Sequence, residues 1–107
     1  MTDLRYRIRA EARRDLDAHT DYLIAQAGEQ AAARFVASAR LSFAAIARSP
    51  GMGVAVPSRN ARLAGLRKWR VRDFPNLLIF YRESSEAIRI VRVLHAAQDW
   101  WALLDVS

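Results

Sequence analysis

Few of the 107 residues can move a proton near neutral pH, and those few lie among many fixed positive charges. His95 closes the apolar run AIRIVRVLH, and Tyr81 and Arg82 stand together shortly before it. Upstream, WRVRDFPNLLIFYR (residues 69–82) alternates Arg70 and Arg72 with Trp69 and Val71, then runs apolar from Leu77 to Tyr81. Histidine titrates in the physiological range, a tyrosine hydroxyl both donates and accepts, and guanidinium forks grip carboxylate or phosphate. Such a row has four readings: a solvated sheet face, a nucleic-acid grip, a catalytic surface, or the seat of an acidic partner.

Composition narrows the chemistry. There is no cysteine, which excludes disulfides, thiolate metal sites and a cysteine nucleophile. The two histidines, His19 and His95, are far apart in sequence, and no metal or other cofactor is expected. With 52% hydrophobic and 26% charged residues, the chain is expected to fold as one domain over residues 1–107. No apolar run approaches the ~20 residues of a membrane helix, and the N-terminus lacks the apolar core of a secretory signal. A soluble cytoplasmic protein is the expectation.

The net charge of +6 is unevenly placed. Residues 1–33 carry −1, residues 34–82 carry +9, and residues 83–107 carry −2. A field segregated in this way steers association with anionic partners. All the basic residues except Lys68 are arginine, which tolerates partial burial better than lysine.

The elements that must position these groups follow from periodicity. Leu4, Tyr6 and Ile8 alternate with Arg5, Arg7 and Arg9, which predicts a short half-buried strand. From Ala10 the period becomes helical. Ala12, Leu16, His19, Leu23 and Ala27 share one face, leaving Asp15, Asp17 and Asp21 for solvent or basic partners. Gly28 is the predicted stop. A second helix follows, with Phe35, Ala39, Phe43 and Ile46 inward and Arg34, Arg40 and Arg48 elsewhere, so the pair is read as an antiparallel hairpin. SPGMG (49–53) ends it, and a long loop without clear period runs to about Leu66.

Three strands are predicted next: Arg67 to Phe74, Leu77 to Arg82 and Ala87 to His95. Turns are expected at Asp73–Asn76, around Pro75, and at ESSE (83–86). Leu77 to Arg82 is apolar on both faces, as in a central strand covered twice. The tail, with Trp100, Trp101, Leu103 and Leu104, is too apolar to lie free in water. The predicted class is α+β: an N-terminal strand, an antiparallel helical hairpin, then a three-stranded, mostly antiparallel sheet.

That order resembles the ParE/RelE superfamily of toxins from bacterial type II toxin–antitoxin modules. YRIRAEARRDLDAHTDYL (6–23) resembles the family's first strand and helix, and SPGMG resembles the break after its second helix. RKWRVRDFPNLLIFYR and IRIVRVLHAAQDW resemble its C-terminal strands, closest to the ParE-like branch. His19 and Thr20 depart from the pattern, standing where larger apolar residues are expected. His19 is read as a partly buried histidine hydrogen-bonded to a neighbour.

The resemblance implies two activities. ParE-like members poison DNA gyrase without enzymatic chemistry of their own. RelE-like members are ribosome-dependent mRNA endoribonucleases. Metal-free RNA cleavage needs a base for the 2′-hydroxyl, a donor for the leaving oxygen and cations over the phosphate. His95, Tyr81, Arg82 and Arg92 are the residues for that alternative, with Arg70 and Arg72 adding charge. Against it, no tyrosine or lysine follows His95, lysine is scarce, and the tail offers Trp100 and Trp101, which anchor interfaces and transfer no proton. His95 is otherwise a capping histidine at a strand end. Gyrase inhibition is therefore the expected function, with the endoribonuclease as alternative and an inert relative or nucleic-acid-binding module third. Direct nucleic-acid binding is not expected. Both branches are neutralised by an antitoxin. An acidic, amphipathic C-terminal antitoxin segment is expected on Arg67, Trp69, Arg70, Arg72 and Arg82, the arginines pairing charge and Trp69 supplying buried area.

Overall fold

Alternation at the N-terminus becomes β1 (Arg5–Ile8) in the computed structural model, which describes residues 5–104. Tyr6 and Ile8 are half-buried while Arg5 and Arg7 are exposed; Leu4, expected in the same strand, lies outside the described residues. Helix α1 (Ala10–Ala27) ends at Gly28, whose φ of 91° lies where L side chains are strained. The Gly28 N–H closes on the Ile24 carbonyl at 3.0 Å. Helix α2 (Glu29–Arg48) starts at the next residue, so one glycine turns the chain between two long helices. Phe35, Ala39, Phe43 and Ile46, its predicted stripe, are all buried.

The stretch after α2, read as a loop without period, is partly ordered. It holds single helical turns at Pro50–Met52 and Ala61–Leu63, with strand β2 (Val54–Ala55) between them. Strands β3 (Arg67–Val71), β4 (Phe74–Glu83) and β5 (Ala87–His95) follow, then the short helix α3 (Trp100–Leu104). The sheet runs β1-β5-β4-β3-β2, with β1 parallel to β5 and the other pairs antiparallel. Three C-terminal strands were expected in one sheet. The sheet has five because β1 joins along β5 and β2, too short for any period, adds an edge.

The first hairpin turn is also placed differently. Val71 pairs with Phe74, so Arg72 and Asp73 form the turn, and Asp73 takes a φ of 66°, which aspartate tolerates better than most residues. Pro75 lies inside β4, not at a turn. The β3–β4 register jumps there: Arg70 pairs with Leu78 and Val71 with Phe74, which leaves Pro75 in an irregular stretch that asks no ladder hydrogen bond of its nitrogen.

Strand β4 is central and covered twice, as its sequence implies. Ile79, Tyr81 and Leu77 pack under the helices with Phe35, Phe43, Ile46, Ile88, Ile90 and Val93. On the other face Phe80 meets Val56, Leu63, Leu66, Val91, Leu94 and Leu104, with Leu78 and Trp100 alongside. The loop and the tail thus close a second, smaller core.

Candidate interaction surface

β1 pairs with β5 only as far as Ile90, and beyond it the outer edge of β5 would be bare. α1 covers that edge with side chains. Asp15 accepts the Val93 N–H at 2.9 Å, and His19 Nε2 donates to the Val93 carbonyl at 2.8 Å. Spaced by four, the two residues share one face of the helix and act as a substitute strand for Val93. His19 also stands edge-on to Phe35, centroids 6.1 Å apart. The same carboxylate holds Arg92 in a fork, Nε to Oδ2 at 2.7 Å and Nη2 to Oδ1 at 2.9 Å. That bond to Asp15 raises the Arg92 pKa above its ordinary value, against an opposing effect of burial.

Tyr81 is fully buried on the helix side of β4. Its hydroxyl donates to the Pro50 carbonyl at 2.6 Å and accepts the Gly53 N–H at 2.9 Å. Burial, more than any neighbouring charge, pushes its pKa up from the ordinary tyrosine value. Arg67 completes the clamp, Nη1 donating to the Gly53 carbonyl at 2.7 Å. A side chain at Gly53 would collide with the Tyr81 hydroxyl and stand 2.9 Å from the Lys68 carbonyl, so glycine is required by close approach.

Of the residues considered for RNA cleavage, only Arg82 and Arg92 come together, beside one cavity, and the proton-transferring pair, Tyr81 and His95, is dispersed. Tyr81 is under the helices; Arg82, next along the strand, faces the other side; Arg92 is paired with Asp15. His95 pairs with Leu77 at the far end of β4, where its Nδ1 accepts the Ala97 N–H at 3.0 Å and its own N–H bonds the Gln98 side chain. There it caps the turn into the tail. It borders a mostly apolar groove of about 340 Å3 that also meets His19, Tyr22 and Phe74.

The residues expected to meet the antitoxin divide as well. Trp69, Arg70 and Arg72 line a groove of about 270 Å3 between α2 and the open edge of β3, facing Leu41, Ala45 and Arg48. Arg70 curls back over Trp69, its guanidinium carbon 4.9 Å from the ring centroid. Ser42 Oγ accepts the Arg72 N–H at 2.9 Å and donates to the Ser38 carbonyl, tying the strand end to the helix. Arg67 is committed to Gly53, and Arg82 opens on the opposite face of the sheet, so neither belongs to this groove. Arg48 and Leu41, not named as contacts from the sequence, do belong. Leu41, Ala45 and Arg48 share a helix face by spacing, but only the packing of α2 beside β3 shows what that face meets.

Among the described residues no helix is long and apolar enough to cross a membrane. No curated protein sequence matches the chain significantly. Among solved structures, a chain of the chromosomal ParDE toxin–antitoxin system from P. aeruginosa superposes with a TM-score of 0.70, covering 86% of this chain and 95% of that one at 20% identity. That likeness bears on the fold. The family model for the ParE toxin of the type II toxin–antitoxin system parDE matches residues 6–100, and the chain belongs to that family.

Proposed function

We propose that this ParE-family toxin inhibits DNA gyrase without cleaving RNA, and that an acidic, amphipathic segment of its antitoxin silences it by lying in the α2–β3 groove. The observation that carries the first part is the dispersal of the acid–base set. To act on a phosphodiester, Tyr81 would have to leave a buried site where its hydroxyl has two partners, and His95 is at the other end of β4. The remaining surface suits binding better than proton transfer. The groove sets Arg48, Arg70 and Arg72 around Trp69 and Leu41, the last 55% exposed. An amphipathic acidic segment matches it: apolar side chains cover Trp69 and Leu41 while carboxylates reach the guanidinium forks.

The test of the target is DNA supercoiling by purified gyrase with increasing toxin. Inhibition with accumulation of cleaved DNA is expected, and undiminished supercoiling at saturating toxin would sink the reading. Message cleavage on ribosomes by the wild type, lost in His95→Ala, would establish the endoribonuclease instead. For the antitoxin, replacing Arg70 and Arg72 together by glutamate should weaken the complex by at least about a hundredfold. Unchanged affinity would place the antitoxin elsewhere.

A further inference from the structure

On the sheet face away from the helices, four arginines from four parts of the chain border one cavity of about 180 Å3. Arg9 precedes α1, Arg62 sits in the helical turn after β2, Arg82 is on β4 and Arg92 on β5. Glu11 and Asn60 complete its polar wall, over a floor that includes Leu63, Val91 and Leu104. Asp15–Arg92 is the one ion pair among the described residues. The Arg82 side chain makes no hydrogen bond among them, and its Nε is buried without a partner. Buried side-chain donors are nearly always hydrogen-bonded, so the Nε–H of this half-buried arginine calls for an acceptor. Counting Glu11 and Asp15 against the four arginines leaves two positive charges unmatched around the cavity.

We propose that this cavity is a binding site for a terminal phosphate group, as inorganic phosphate or a phosphomonoester. Two unmatched charges suit a dianion, whereas a carboxylate or a phosphodiester brings one negative charge. Three guanidinium groups without ion-pair partners, on Arg9, Arg62 and Arg82, can surround a tetrahedral oxyanion from three sides. The first turn of α1, which supplies Glu11 to the wall and has no side-chain cap, adds its partial positive charge. The polar wall and buried floor separate this site from the α2–β3 groove, so it stands independently of the gyrase reading and of where the antitoxin binds.

The test is a titration of the full chain with inorganic phosphate at ionic strength held constant by chloride, following the Arg82 Nε–H resonance by nitrogen–proton correlation. A saturable displacement of that resonance is expected. Arg62→Gln, in an exposed turn where the fold tolerates it, should weaken binding by about tenfold or more. Arg34→Gln, on an exposed position of α2 away from the cavity, should leave it unchanged. No displacement, or one reproduced by chloride alone, overturns the site. A nucleoside 5′-monophosphate and a dinucleoside phosphodiester distinguish the ligand: binding of the first alone supports a terminal phosphate. Equal binding of both overturns that assignment.

Discussion

Tyr81 carries its hydroxyl into the core and spends both its donor and its acceptor on the backbone of the Pro50–Gly53 turn. Tyr81→Phe should leave the buried Gly53 N–H without an acceptor and lower stability by about 1–3 kcal/mol in urea denaturation. The same residue makes stability depend on pH. Its folded pKa is raised above the unfolded value of about 10, so the folded state holds the proton more tightly. Its contribution is fully present below about pH 10 and is lost as pH rises through the folded pKa. Stability should therefore fall with increasing pH above 10, and Tyr81→Phe should flatten that slope; an unaltered slope would assign the dependence to other groups. Asp15 is the other residue whose removal exposes several partners at once. Asp15→Ala strands Arg92 and the Val93 N–H, and losing one partner of a buried pair costs about 3–5 kcal/mol. Because the Arg92 side chain keeps 20% of its surface in water, a smaller loss of about 2–3 kcal/mol is expected.

At the scale of elements, α1 shows how a helix can finish a sheet. Asp15 and His19 bond both backbone groups of Val93, which therefore presents no bare edge to another chain. His19→Leu fills a similar space against Phe35 but removes the donor, so about 1–2 kcal/mol should be lost. In Asp15→Ala the Val93 amide should lose hydrogen-exchange protection relative to its neighbours on β5; retained protection would mean another acceptor serves it. The helices themselves were readable because a 3.6-residue stripe and a stop at Gly28 are local signals. Trp69 and Val71, alternating with Arg70 and Arg72, likewise announce which way a strand faces. What stayed hidden depends on partners distant in sequence. The bonds from α1 to Arg92 and Val93 span 74 to 78 residues, and nothing near Arg92 tells that its charge is already matched. Two-residue β2 has no period to read, and Pro75 marks a turn in most contexts, here only an irregular stretch of β4. For the same reason the arginine row was visible as charge but not as three separate fates: Arg67 in a clamp, Arg70 and Arg72 in a groove, Arg82 on the far face.

The molecule as a whole carries +6, and the segment from residue 34 to 82, which supplies every residue of the α2–β3 groove, carries +9. A net positive charge of this size acts before contact as well as after it, because the field extends about a Debye length into solution, roughly 8–10 Å at ordinary salt. An acidic antitoxin segment should thus be drawn toward the groove during approach, and the effect should appear in the association rate. Raising salt from about 0.05 to 0.5 M is expected to lower the association rate constant by about tenfold or more, with a much smaller change in dissociation. Changing both Arg70 and Arg72 to glutamate takes the net charge from +6 to +2 and removes two of the three arginines of the groove. That variant should associate slowly at every salt concentration with a visibly flatter dependence, whereas Arg34→Glu with Arg40→Glu, the same change in net charge on exposed positions outside the groove, should keep most of the slope. Stopped-flow measurements of the two pairs separate local from global charge. Equal flattening would mean that net charge alone governs approach, and a salt effect confined to dissociation would mean that the arginines act only once the antitoxin is seated.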